Sequence, residues 1–261
     1  MKNSQSIVDN RRNKILQLLE QTGSVCVNSL AEELTISPLT VRRDLDYFEK
    51  MGVVERFHGG AALKTKLQSD NIFSSVYTLH KHAIARRAAQ LVSDGDTIFI
   101  NTSSTALLML GYITAKMVTV ITNNGKAIFC DTRDDMILLL TGGELRAPKE
   151  AMVGEFALNN LNRVMASKCF LGCSGLTLEE GMTTAVLQEV AVNELMLTRV
   201  TGARYLLADH SKIGRKHSFM SGAVEQISCL ITDTDADKSI LRQLAERGVQ
   251  IIQVPPLKKL D

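Results

Sequence analysis

Two sets of residues in this chain have types and spacing that could do chemistry. The first is Ser37-Pro-Leu-Thr40-Val-Arg42-Arg43, followed at a distance by Arg56 and His58. Hydroxyl and guanidinium groups gathered within two helical turns can hold phosphates. An arginine can also pair with a guanine edge, and a threonine can meet a thymine methyl. The second set is dispersed but repeats one theme, a polar cluster directly after each short apolar run. The clusters are Asn101 to Thr105, Thr122 to Gly125, Thr141 to Arg146, Gly172 to Gly175, Asp209 to Gly214 and Thr232 to Asp235. Ser103, Ser104 and Thr105 offer hydroxyls and backbone N–H groups to a phosphate. Arg146 and Lys212 add positive charge, while Asn123, Glu144 and Asp209 can exchange hydrogen bonds with the hydroxyls of a polyol. The ligand this implies is a small phosphorylated sugar or a similar anion.

These side chains need elements to position them. In residues 11–22 the set Ile15, Leu16, Leu18 and Leu19 marks one face of a helix, which Gly23 stops. Val25 to Val27 suits a short strand, and Asn28 is placed to cap a second helix over 29–34. Ser37 caps a third helix with Pro38 at its first position, where no N–H is needed. Val41, Leu45 and Phe48 then face inward and Leu39, Thr40, Arg42 and Arg43 outward. An outward face of that kind suits a recognition helix in the major groove. Residues 53–60 look like a two-stranded wing whose Arg56 and His58 touch the backbone beside the groove. Arg42 and Arg43 have a competing use, pairing with Asp44, Asp46 or Glu49. Charge does not decide between the two, because the lysines and arginines of residues 1–60 are balanced by as many acids.

Beyond a polar linker over 61–80, apolar runs begin to alternate with helical stretches. The runs are 97–100, 118–121, 136–140, 169–171, 204–208, 229–231 and 249–254, continuous enough for strands buried on both faces of a parallel sheet. Helices are expected over 105–115, 125–132, 189–201 and 238–247. The fold class is therefore α/β: an N-terminal winged helix-turn-helix over 1–60 and a larger open, mostly parallel sheet domain over 81–261. In such a sheet, ligands bind at the carboxyl ends of the strands, where the polar clusters converge.

The 261 residues are 45% apolar and lack tryptophan, so the core is aliphatic, and Met109, Met117, Met165 and Met196 read as filler. His80, Lys81, His82, Arg86 and Arg87 suit the solvated face of a helix with Ile84, Ala88 and Leu91 inward, with contact to DNA as the competing use. The N-terminus has no apolar leader and no apolar run could span a bilayer. The five cysteines form no disulfide framework, and Cys169 and Cys173 lack further ligands at metal spacing. A cytoplasmic protein with no metal and no cofactor is expected. A carbonyl isomerase would need a carboxylate base, such as Asp209 or Asp233, together with a closing lid. No segment suits a lid, so no catalytic residue is assigned.

Ser37-Pro-Leu-Thr-Val-Arg-Arg-Asp-Leu45, then Gly52, then Arg56-Phe-His-Gly-Gly-Ala61, resembles the DNA-binding motif of the DeoR family of bacterial regulators. Thr122-Asn-Asn124, Gly142-Gly-Glu-Leu-Arg146, Gly172-Cys-Ser-Gly-Leu176 and Asp209-His-Ser-Lys-Ile-Gly214 resemble its effector domain, so the resemblance covers residues from about 10 to 254. It implies a fold like ribose-5-phosphate isomerase and glucosamine-6-phosphate deaminase, with sugar phosphates as effectors. Ser103, Ser104 and Thr105 are implicated in phosphate binding, and Asn123, Gly143, Arg146 and Lys212 beside them. Asn101, Ser174 and Asp209 complete the expected effector set, and Ser37, Pro38, Thr40, Arg42, Arg43, Arg56 and His58 the DNA set. The chain departs from the family pattern where an Asp is common at 101 and a Gly at 103. It departs again at Phe73, where Arg is frequent, at His80, where Glu is common, and at Asn193, where a basic residue often stands. The expected function is a transcriptional regulator, a repressor of a carbohydrate-metabolism operon. Its partners are double-stranded operator DNA and a small phosphorylated metabolite, with no membrane. It acts as a homodimer or homotetramer, since one small head makes too few contacts for an operator.

Overall fold

Local patterns of capping and periodicity become two compact units, Met1–Thr78 and Leu79–Asp261. The computed structural model describes residues 8, 11, 12, 14–16, 18, 19, 24–50, 53–57, 59–63, 78–147 and 149–258.

In the first unit, Ile15 and Leu19 lie one helical turn apart, and both are fully buried. They pack with Leu30 and Ala31 of α1 (Val27–Glu33) and with Val41, Leu45 and Phe48 of α2 (Pro38–Lys50). The α2 helix starts as its sequence dictates. Ser37 Oγ accepts the Thr40 backbone N–H at 3.2 Å, satisfying one of the donors a helix start leaves over. The cap expected at Asn28 is not there: α1 begins two residues earlier, with Cys26 at the cap position and no side-chain cap bond. β1 (Ser24–Cys26), β2 (Val54–Phe57) and β3 (Gly60–Leu63) form an antiparallel sheet in the order β1-β3-β2. The wing thus has three strands instead of two, and β3 runs into the stretch expected as linker. Gly60 permits this, because a Cβ there would stand 2.3 Å from the Val25 carbonyl oxygen.

The second unit begins within the first turn of α3 (Thr78–Ala89), whose Ile84 and Ala88 are fully buried. Its main sheet contains β4 (Thr97–Ile100), β5 (Thr119–Thr122), β6 (Ile137–Leu140), β9 (Lys168–Gly172), β12 (Arg204–Leu207), β14 (Cys229–Asp233) and β15 (Gln250–Val254). These seven lie within a residue or two of the seven apolar runs. The spatial order is β15-β14-β12-β9-β4-β5-β6, and every neighbouring pair is parallel. From β4 the chain builds outward through β5 to β6, then returns to the other side of β4 and builds outward again from β9. The order therefore reverses between β4 and β9, which is where an open parallel sheet leaves a crevice.

Shorter elements decorate this frame. The α4 helix (Ser104–Leu108) follows β4, and a 3-10 turn over Gly125–Phe129 replaces the helix expected after β5. β7 (Glu144–Arg146) and β8 (Ala151–Val153) form a hairpin, followed by α5 (Glu155–Asn162). β10 (Gly175–Thr177), β11 (Gly181–Thr184) and β13 (Phe219–Gly222) make a small antiparallel sheet. The α6 helix (Gln188–Thr198) and α7 (Lys238–Glu246) complete the unit. The core is mainly aliphatic, with Phe99, Phe170 and Met109 among its largest buried side chains. Met196 is buried as expected, but Met117 and Met165 are exposed. Met117 sits at φ 53° in the turn before β5, which points it away from the core.

Candidate functional site

The first site is the outer face of α2. Leu39, Arg42 and Arg43 are exposed beside Ser37 and Pro38, with Thr40 half-buried. Ser37 Oγ and Thr40 Oγ1 lie 2.9 Å apart. Two of the acids that could have neutralised the arginines are taken elsewhere. Asp44 points inward, almost fully buried, and holds Arg11 Nε at 2.5 Å and Arg12 Nε at 3.0 Å. Arg12 also lies over the Tyr47 ring, 3.7 Å from its centroid. Asp46 is paired with Arg56. Among the described residues, neither Arg42 nor Arg43 has an ion pair or side-chain hydrogen bond. Arg56 also has bonds within the head. Its guanidinium donates to the Gly60 carbonyl at 3.2 Å and the Arg42 carbonyl at 3.4 Å, tying the wing to α2. Its half-buried position follows from that bonding. His58 lies outside the described residues.

The second site is the layer of polar residues at the carboxyl ends of the strands. Asn101, directly after β4, is a fastener across the β4–β9 junction. Its amide donates to the Gly172 carbonyl and to Asn193 Oδ1, both at 2.9 Å, and its oxygen accepts from Gly172 N at 3.0 Å and Ser103 N at 3.2 Å. Two departures from the family pattern therefore touch each other. A neutral Asn101–Asn193 pair fills the place where an acidic residue and a basic one are common. Gly172 is required here, since a Cβ would stand 2.0 Å from Ser103 Oγ.

Ser103 caps α4, accepting from Ala106 N at 3.3 Å, and Thr105 is buried. Ser104 is the exposed member of the trio, and Lys81 Nζ on α3 reaches its Oγ at 3.3 Å. Asp209, after β12, is buried and turns back onto the Ser211 backbone N–H at 3.0 Å. Burial alone would raise its pKa. The nearby charges of Lys212 and Lys81, with the Ser211 bond and His210, outweigh that and hold it below the usual carboxylate range. Glu189 is a second buried carboxylate, held by Lys149 Nζ at 2.9 and 3.1 Å, Thr102 at 3.0 Å and Thr184 at 2.7 Å. His217 titrates below its ordinary value because of burial first, then the charges of Arg215, Lys212 and Lys149. Lysines from three segments thus set a positive field over this edge.

The other expected residues have varied surroundings. Asn123 is buried, its amide donating to the Met152 carbonyl at 3.1 Å, and its Oδ1 has no hydrogen-bond partner among the described residues. An orphaned buried acceptor of this kind suits a hydroxyl or N–H donor from a ligand. Gly143 has φ 110° and a Cβ there would meet the Val153 carbonyl oxygen at 2.5 Å, so its role is backbone geometry at the β7 turn. Arg146 is half exposed and paired with Glu144 at 2.8 Å. Ser174 is half-buried, its N–H donating to the Thr183 carbonyl at 3.0 Å. Cys173 is no nucleophile, since burial pushes its thiol up to about 12.

Sequence reasoning placed Lys81 on a solvated face and passed over Lys149 and His217. Their partners lie 23 to 40 residues away, beyond any local period. Also unforeseen is the meeting of His80, His210, Asp233 and Asp235, where no metal-ligand spacing exists in the sequence. Phe73 lies outside the described residues.

Comparison with known proteins follows the same division. The DeoR-like helix-turn-helix domain matches residues 11–66, and the DeoR C terminal sensor domain matches residues 77–234. The lactose phosphotransferase system repressor of Streptococcus mutans is 33% identical, over 89% of this chain and 94% of its own. The glycerol-3-phosphate regulon repressor of Escherichia coli is 28% identical, over 92% and 97%. Among solved structures, ribose 5-phosphate isomerase A of Methanocaldococcus jannaschii is 17% identical with TM-score 0.38, covering 53% of this chain and 55% of that one. The chain spans about half of that enzyme, and so low a score carries no argument.

Proposed function

Since the chain belongs to the DeoR family of DNA-binding transcriptional regulators, we propose that it is a repressor released by a phosphorylated sugar or related metabolite. The regulated genes, on this reading, are a carbohydrate-metabolism operon. Ser37, Pro38, Thr40, Arg42 and Arg43 meet the operator, the arginines supplying charge that no acid among the described residues pairs with. The metabolite occupies the crevice between the ends of β4 and β9. The observation that carries this is Lys81 on Ser104 Oγ, which brings a cation to the hydroxyl loop at the point where strand order reverses. Lys212 beside Asp209 and the orphaned Asn123 oxygen extend the same site toward a polyol. The printed names of the relatives, one for a lactose phosphotransferase system and one for a glycerol-3-phosphate regulon, favour this ligand class.

Release follows from linkage: an effector that prefers the free protein must weaken operator binding by the factor by which the operator weakens effector binding. A homodimer or homotetramer is favoured by β6, which ends the sheet and leaves Ile137, Leu139 and Leu140 exposed, with Ile128 and Phe129 also uncovered. Among the described residues no helix is long and apolar enough to cross a membrane, in keeping with a place in the cytoplasm.

A thermal-shift screen against sugar phosphates tests the reading. A ligand at a hundred times its dissociation constant adds about 2.7 kcal/mol, and Ser104→Asp should abolish that gain while sparing DNA binding. A gain unchanged in Ser104→Asp would move the effector away from this loop.

A further inference from the structure

At the edge of the polar layer, four side chains from three distant parts of the chain come together: His80 on α3, His210 after β12, Asp233 at the end of β14 and Asp235 just beyond it. We propose that they form a binding site for a divalent transition-metal ion of the zinc class. Each residue offers one ligand atom, and these atoms all lie within 4.8 Å of one another. A tetrahedral zinc site with bonds of about 2.0–2.1 Å has ligand atoms roughly 3.3–3.5 Å apart. Two of the contacts are already shorter than that, His80 Nε2 to Asp235 Oδ2 at 3.1 Å and His210 Nδ1 to Asp233 Oδ1 at 2.9 Å. Modest side-chain rotation closes the rest. Two imidazoles with two carboxylates are the ligands of zinc, cobalt and nickel, whereas magnesium and calcium prefer oxygen alone.

The surroundings resemble the outer support of metal sites. Asp233 is fully buried, and its carboxylate accepts the backbone N–H of His210 at 2.8 Å and that of Asp235 at 3.0 Å. Those two bonds fold the turn after β14 around the carboxylate and fix both neighbours. The His80 and His210 rings meet edge to face, 5.0 Å between centroids. On binding, the metal would take the place of the protons shared within the two His–Asp pairs and release them to solvent. It would also fasten α3 to the sheet edge, with Lys81 one residue from the ligand His80. The site does not depend on which effector the crevice takes.

The full-length protein, stripped with a chelator, should bind one equivalent of Zn2+ in calorimetry. With Co2+ in its place, the visible absorption should be that of a low-coordinate His/carboxylate site without thiolate charge-transfer bands. The paired substitution His80→Gln with Asp235→Asn alters only half-buried and exposed side chains, and should weaken Zn2+ at least about a hundred-fold with its melting temperature in chelator unchanged. Failure of the wild type to bind a stoichiometric ion overturns the proposal. So does equal affinity in the double variant, which would send the metal to the cysteines.

Discussion

The outer face of α2 and the strand-end layer of the sensor unit treat charge in opposite ways. On α2 two acids are drawn off, Asp44 inward to Arg11 and Arg12 and Asp46 sideways to Arg56, and Arg42 and Arg43 have no ion-pair partner among the described residues. In the sensor, two buried acids keep a cation close, Glu189 with Lys149 and Asp209 with Lys212 and Lys81. A surface that meets a polyanion needs unpaired charge, which water and salt can screen until DNA displaces them. A crevice for a small ligand needs fixed geometry, and buried charges keep it only when they are paired and hydrogen-bonded. The head's zero net charge therefore conceals a segregated surface.

The contrast can be broken at its strongest point first. Asp44→Ala would strand two arginines that are each largely buried, costing about 3 kcal/mol. Calorimetry of the whole chain should show the head's transition lowered and the sensor's unmoved. Next comes Asn101→Asp, which removes two donated hydrogen bonds and sets a carboxylate against the Gly172 carbonyl and Asn193 Oδ1. A loss of about 2 kcal/mol is expected in chemical denaturation, partly restored by adding Asn193→Arg. Strict additivity in the double variant would show that the two positions do not act as a unit.

Arg43→Ala should act on binding instead of stability. Affinity for an operator selected from random duplexes should drop about ten- to a hundred-fold, with the melting temperature within about a degree of wild type. A large fall in melting temperature would make Arg43 structural and erase the contrast with Arg56. The smallest expected effect is at His82, whose imidazole burial holds below its ordinary pKa. The unfolded chain then binds that proton more tightly than the folded one. Stability is full above the ordinary histidine range and declines as pH falls through it toward the lower folded value. The melting temperature should slope downward from about pH 7 to 5, less steeply in His82→Gln.

How much of this could be read from the chain alone depends on distance along it. The strands β4, β5, β6, β9, β12, β14 and β15 were legible because a strand covered on both faces has to be apolar throughout. The exposed Ile137, Leu139 and Leu140 show the limit of that rule: an apolar run marks a strand without saying what covers it. The α2 helix was legible through Ser37, Pro38 and the spacing of Val41, Leu45 and Phe48. The small strands β10, β11 and β13 were not, since Gly175-Leu-Thr177 and Gly181-Met-Thr-Thr184 carry no apolar alternation and exist only by pairing across the chain. The bonds of Arg56 could not be read for a related reason, because its partners Asp46 and Gly60 lie in other elements.

The sequence by itself determined the seven strands of the main sheet, the Ser37 cap, the outward face of α2 and the polar residues at the ends of the strands. Capping and periodicity act within a few residues, so one stretch of chain is enough to specify them. Only the tertiary structure decided which charges are left over on α2, and that Asn101 meets Asn193. It alone joined His80 to Asp235 across 155 positions. The two sensor outcomes depend on strand order, which sets β4 beside β9 and β12 beside β14, and burial then makes most polar groups find a partner among whatever that order brings near.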